Sequence, residues 1–281
     1  MRSRAFRQVD VFTQVPYKGN PVAVVLDAEG LTDAEMQAFA NWTNLSETTF
    51  VLPASEPAAD YRVRIFTPKA ELPFAGHPTL GTAHAVLEAG LASARDGRLV
   101  QQCAVGLVEL RVGDEGLSFR LPRHALTELA DPEATAWIGA EVKGAAQAVD
   151  VGPVWLVAEL ADIAALEDLK HDEARLSSFY MPRGMTGATL YATDGTRVVV
   201  RSFAPGDGIA EDPVCGSGNG AVAAFRLAAG QVAAGDGYVA SQGRQVGRDG
   251  YVSVRFEGSD IHIGGACVTC GWNRKRGCTE F

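Results

Sequence analysis

Short apolar runs bounded by turn residues dominate the chain, and such runs read as strands. In the first third they fall at residues 6–13, 22–26, 47–52 and 61–66, with the turn Pro16-Tyr17-Lys18-Gly19-Asn20 between the first two. Further strands are expected at 99–103, 108–112 and 117–121, then near Ala148 and at 154–157, 189–192, 196–202, 237–242, 251–256 and 260–269. Helical periodicity is rarer. Thr32-Asp33-Ala34-Glu35 is a capping box with Met36, Phe39 and Ala40 behind it, which predicts a helix ending near Asn44. Weaker helical patches cover 162–169 and 174–178.

Two stretches break this pattern. Residues 211–230, EDPVCGSGNGAVAAFRLAAG, are an extended approach, a Gly-rich turn and then small and apolar residues on every side. A helix apolar all round is a buried one. Residues 71–90, ELPFAGHPTLGTAHAVLEAG, repeat it at a constant offset of 140: Glu71 falls on Glu211, Pro73 on Pro213, Gly76 on Gly216, Ala83 on Ala223, Leu87 on Leu227 and Gly90 on Gly230. Upstream, VRIFTP at 63–68 matches VRSFAP at 200–205 at an offset of 137, so the second copy carries a three-residue insertion. A fainter match sets Asn20-Pro21-Val22 against Gly152-Pro153-Val154. The repeat implies two pseudo-symmetric lobes in an α+β arrangement, each a sheet around one buried helix. The helices should start near Pro78 and Gly218 and aim their N-termini at one shared cleft. Leu121-Pro122-Arg123 marks the boundary. The lobes are then 1–121, which the C-terminal strand at about 266–281 can join, and 122–265.

Composition narrows the partners. With 25 Lys and Arg against 34 Asp and Glu, the net charge of −9 argues against nucleic acid or an anionic membrane. Five cysteines, an odd number, suit a reducing compartment better than secretion. The start, MRSRAFRQVDVF, has no signal-peptide core and no run approaches a membrane span, so a cytoplasmic protein is expected.

A Gly-rich turn opening a helix presents unpaired amides and the positive end of the helix dipole, a ready site for a carboxylate or phosphate. Beyond this, NPVAVV near the start, NLSETTFV, FAGHPTLG and EDPVCGSG, in this order, resemble the PhzF phenazine-biosynthesis-like family, of the diaminopimelate epimerase-like fold. QGRQVGR at 242–248 and the late IGGACV extend the resemblance over nearly the whole chain. It implies β-barrel-like sheets around the two central helices and an active site in the cleft between the lobes. It also implies a cofactor-independent, metal-free isomerisation of trans-2,3-dihydro-3-hydroxyanthranilate or a related acid by proton transfer. The family's acid/base glutamate falls on Glu47, its histidine on His77, its aspartate on Asp212 and its serine on Ser217. Gly76 and Gly216 mark the carboxylate-facing turns, and Asn20 in NPVAVV joins the substrate-binding set. The implied partner is a small-molecule carboxylate, and the assembly a homodimer.

Each residue also has a plainer reading. Glu47 can be a solvated strand-end carboxylate, His77 and Ser217 helix caps, and Asp212 a turn residue before proline. A glutamate enclosed beside helix N-termini gains proton affinity and suits acid/base work. Two alternatives remain open: a non-catalytic carboxylate binder, and a cysteine-dependent racemase. Racemases of this fold use opposed thiols at the two turns. Here Cys215 faces Ala75 across the repeat, and threonine is the common isomerase residue at the Cys215 position. Cys267-Val268-Thr269-Cys270, with Cys278 nearby, has metal-ligand spacing, but a strand sends residues three apart to opposite faces. The basic tail beyond Trp272 reads as a solvated end.

Overall fold

The structure, a computed structural model, describes residues 3–129 and 131–273. The tail from residue 274 on, with Cys278, lies outside the described residues. The chain divides into two compact units, Met1–Phe119 with Gly264–Phe281, and Arg120–Ile263.

The first part of the chain runs β1 (Phe6–Val11), β2 (Asn20–Val25), α1 (Asp33–Thr43), β3 (Thr48–Leu52), β4 (Tyr61–Phe66), β5 (Glu71–Leu72), α2 (Gly76–Glu88), β6 (Arg98–Cys103), β7 (Gly106–Gly113) and β8 (Gly116–Arg120). There follow β9 (Ala125–Glu128), β10 (Val142–Asp150), β11 (Val154–Leu160), α3 (Ile163–Asp168), α4 (Glu173–Tyr180), β12 (Gly187–Asp194), β13 (Arg197–Ala204) and β14 (Ile209–Asp212). Then come α5 (Gly216–Ala228), β15 (Gly237–Gln242), β16 (Gly250–Glu257), β17 (Asp260–Gly265) and β18 (Cys267–Asn273).

In the first unit β18, β1 and β2 pair antiparallel, β2 and β3 parallel, β3 and β4 antiparallel, and β4 and β6 parallel. β6, β7 and β8 then continue antiparallel. Parallel neighbours need a crossover, and α1 and α2 supply the two. The second unit repeats this order. β9, β10 and β11 are antiparallel, β11 and β12 parallel, β12 and β13 antiparallel, β13 and β15 parallel, and β15 and β16 antiparallel. Here α3 and α4 together fill the first crossover and α5 the second. β9 stands beside β10 as β18 stands beside β1.

Both crossover helices in the repeat are buried. α2 packs on β1, β2, β3, β6 and β18, and Ala83, Ala85 and Val86 on it are fully buried. α5 packs on β9 to β12 and β16, with Ala221 to Ala224 equally buried. Close approach sets the small residues. A Cβ on Gly81 would come within 2.4 Å of Val22 Cγ1, and one on Gly218 within 2.5 Å of Ser202 Oγ. The helices begin at Gly76 and Gly216, two residues before the expected starts, because each Gly-rich turn is itself the first helical turn.

Other boundaries moved for local reasons. The strand expected at 260–269 is two strands, β17 and β18, broken at Ala266. β10 is longer than the stretch near Ala148 suggested, since an irregularity between Lys143 and Gln147, with Gly144 at φ 68°, hides its alternation. β5, β9 and β14 are too short for periodicity to show. The Thr32 capping box is present, and α1 ends in a left-handed Asn44 at φ 53°. Among the described residues no helix is long and apolar enough to cross a membrane.

Candidate active site

In the first unit the strand registers gather the candidates at one end of the sheet. Asn20 opens β2, and Ala23 of β2 pairs with Thr48, the first residue of β3. Thr48 in turn pairs with Phe66, the last residue of β4, from which the chain passes through β5 into α2. Glu47 therefore sits immediately before β3, on the side where α2 starts.

The loop that carries Glu47 is fixed at both flanks. Asn44 takes the left-handed turn that ends α1, and the Thr43 and Thr48 hydroxyls hydrogen-bond across the loop at 2.9 Å. His77, in the first turn of α2, is 6% exposed, and the N-cap of that helix is Ala75, which makes no side-chain bond. Its Nε2 lies 3.4 Å from Glu47 Oε2, and the Glu47 side chain keeps only 15% exposure. The carboxylate is thus largely enclosed, with an imidazole beside it. Asn20 is 1% exposed. Behind the turn, Gln101 Nε2 donates to Thr79 Oγ1 at 3.0 Å, and the Tyr61 hydroxyl donates to Gln101 Oε1 at 3.0 Å. This buried chain ties the first turn of α2 to β6.

The second unit builds the same corner with different groups. The Arg201 guanidinium on β13 donates twice to Glu211 on β14, at 2.9 and 2.8 Å, as Arg64 on β4 donates twice to Glu71 on β5, both at 2.7 Å. Arg201 and Glu211 stand at the same repeat offsets as Arg64 and Glu71, so the repeat extends to an ion pair. Beyond it, Asp212 Oδ1 accepts the Val214 N–H at 3.1 Å, so the local turn role expected for this residue is present.

Cys215, and not Ser217, caps α5: Sγ accepts the Gly218 N–H at 3.2 Å. Burial first, then the nearby Asp212 charge, pushes its thiol well above the usual cysteine range, so it stays protonated at neutral pH. Gln242 Oε1 accepts from the Cys215 amide and from Asn219 Nδ2, while Gln242 Nε2 donates to the Asp212 carbonyl. One side chain from β15 thus staples the turn, as Gln101 from β6 does in the first unit. Ser217 accepts the Trp155 indole N–H at 3.2 Å. The Gly216 and Ser217 amides lie in the first turn, where an α-helix has no carbonyl of its own to pair them.

The two corners differ in one decisive place. Val51 pairs with Val63, and Tyr191 pairs with Val200, the repeat partner of Val63. Four residues before Val51 is Glu47; four before Tyr191 is Gly187. Only the first unit carries an acid at this position.

A model of the family described as phenazine biosynthesis-like protein (PhzC-PhzF) matches residues 9–271. The chain belongs to the PhzF family. Two curated relatives cover nearly all of it. "Antisense-enhancing sequence 1" of Schizosaccharomyces pombe is 37% identical, covering 96% of this chain and 98% of its own. Trans-2,3-dihydro-3-hydroxyanthranilate isomerase of Pseudomonas chlororaphis is 34% identical, covering 94% and 96%. Among solved structures, the phenazine biosynthesis protein of the PhzF family from Bacillus anthracis superposes with a TM-score of 0.85 over 97% of this chain and 99% of that one, at 24% identity. The protein is a PhzF-family isomerase with a mixed helix-and-sheet fold.

The structure brings Glu47 and His77 together in one unit and Asp212, Cys215 and Ser217 together in the other. Sequence reasoning did not single out Trp155, Asn219, Gln242 or Gln101. Gln242 opens the QGRQVGR motif, which was a usable signal; Trp155 sits in a plain apolar strand, which gave none. In this PhzF-family chain Cys267 and Cys270 lie on the strand β18, as the spacing argument required. Among the described residues no group of three or more acidic, histidine or cysteine side chains is arranged to hold a metal.

Proposed function

We propose that this isomerase moves a proton between two carbons of a small carboxylic acid, trans-2,3-dihydro-3-hydroxyanthranilate or a related hydroxy or amino acid, with Glu47 as the proton carrier. The observation that carries the reading is the enclosed Glu47 Oε2, 3.4 Å from His77 Nε2, at a repeat position where the other unit has Gly187. One carboxyl, rather than an opposed pair, then removes the proton and returns it. The Glu47 carboxylate accepts a proton from one carbon, leaving a delocalised anion. The resulting carboxylic acid protonates a second carbon, and bonds and charge balance over the cycle.

The amides near Gly76 and Gly216, with the Ser217 hydroxyl, hold the substrate carboxylate. Asn20, His77 and Asp212 orient its hydroxyl and amine groups. The relative from Pseudomonas chlororaphis, named for isomerising this acid, supports the choice of substrate class. The barrel-like, diaminopimelate epimerase-like form of each lobe, the cytoplasmic location and the homodimer belong to the same proposal.

Two experiments address it. A panel of cyclic and open-chain hydroxy and amino acids, incubated with the protein in heavy water, should show conversion or deuterium uptake for unsaturated members alone. Conversion of none would contradict the reading. Cys215→Thr should keep most of the wild-type turnover, because a threonine hydroxyl can take over the Gly218 cap and the thiol has Ala75 opposite it in the repeat. A fall of several orders of magnitude would instead establish thiol chemistry.

A further inference from the structure

The contact between Trp155 and Ser217 says more than that two side chains touch. An indole N–H can only donate, so at this contact the Ser217 oxygen must accept, at 3.2 Å. The serine proton is thereby turned toward another acceptor. One acceptor within reach is Cys215 Sγ at 3.5 Å, a weak one that already takes the Gly218 N–H at 3.2 Å. Trp155 itself is 2% exposed and held in β11 between Val149 on β10 and Gly187 on β12, so its N–H is fixed in direction.

We propose that Trp155 is a positioning residue that commits the Ser217 hydroxyl to donating toward the substrate carboxylate. This rests on the reading above that Ser217 binds that carboxylate. Without the indole donor, the serine hydroxyl gains the rotamer that the indole N–H now blocks and can spend its proton there on water, so a smaller fraction of the molecules would present it to substrate. The carboxylate is held alike in the ground and transition states, so the loss should appear in KM and not in kcat.

The test uses trans-2,3-dihydro-3-hydroxyanthranilate as substrate and four forms of the full chain: wild type, Trp155→Phe, Ser217→Ala and the double variant. Trp155→Phe should raise KM roughly 3- to 10-fold with kcat within about twofold, the scale of weakening one hydrogen bond to a charged group. Ser217→Ala should raise KM at least as much. In the Ser217→Ala background, Trp155→Phe should add nothing further. An equal KM increase in that background would show that the indole acts through packing, and would overturn the proposal. An unchanged KM in Trp155→Phe, with KM raised in Ser217→Ala, overturns this proposal alone. An unchanged KM in Ser217→Ala removes the carboxylate reading and this proposal with it.

A second readout is taken on the wild-type protein. The Trp155 indole N–H proton resonance, assigned by its displacement in Ser217→Ala, should shift on saturation with 3-hydroxyanthranilate, the aromatic acid of the same substitution pattern, once calorimetry has given its Kd. An unmoved resonance under saturation contradicts the proposal.

Discussion

Glu211→Gln should destabilise the protein by about 3–5 kcal/mol, whereas Glu71→Gln should cost no more than about 1 kcal/mol. The two glutamates are repeat partners, and each receives a bidentate arginine. Burial separates them. Arg201 and Glu211 are 3% and 4% exposed, while Arg64 and Glu71 are 23% and 38% exposed. Removing the Glu211 charge leaves a guanidinium in a dry site. Its other partners, the Leu166 and Leu169 carbonyls at 2.9 and 2.8 Å, close the end of α3 but carry no full charge. Arg64 keeps Asp33 at 2.6 Å and has access to water. Denaturant unfolding of the two variants in parallel checks this, and equal costs would show that burial does not decide the strength of the pair. The consequence reaches the site, because Glu211 directly precedes Asp212, and Asp212 pairs with Ser202 on β13.

The architecture was legible in the sequence because the repeat was. An offset of 140 between two stretches with small residues at matching places predicted two buried helices, and both are present with the same start and length. The register of the surrounding strands follows the same arithmetic. What could not be read was whatever depended on contacts between distant strands. Gln101 looks like an ordinary polar strand residue and Gln242 had only its motif to mark it; the parallel pairing of β6 with β4 and of β15 with β13 brings them to the helix turns. A helix cap was one of the two readings of Ser217. The thiol two residues earlier caps α5 instead, because the helix begins at Gly216 and makes Cys215 the boundary residue. Glu47 was found through its motif. Its apposition to His77 needed the Asn44 turn and the β3–β4 register, neither of which has a strong local signature.

Glu47→Gln carries the mechanism. Glutamine keeps the size and planar shape of the side chain and its hydrogen-bonding reach toward His77, but it cannot take a proton from carbon and return it. If Glu47 is the proton carrier, substrate binding survives this change and the chemical step does not. Turnover should fall by the factor attributed to a positioned acid/base, about 10²–10⁴. On the same proposal His77→Ala and Asp212→Asn remove groups that orient the substrate, and they should weaken binding and turnover together. The most direct measurement is therefore a pair made on one preparation of Glu47→Gln. Calorimetric binding of 3-hydroxyanthranilate is set beside turnover of trans-2,3-dihydro-3-hydroxyanthranilate. The account predicts a Kd within a few-fold of wild type and turnover lower by about two to four orders of magnitude. Turnover near the wild-type rate would remove Glu47 from the reaction.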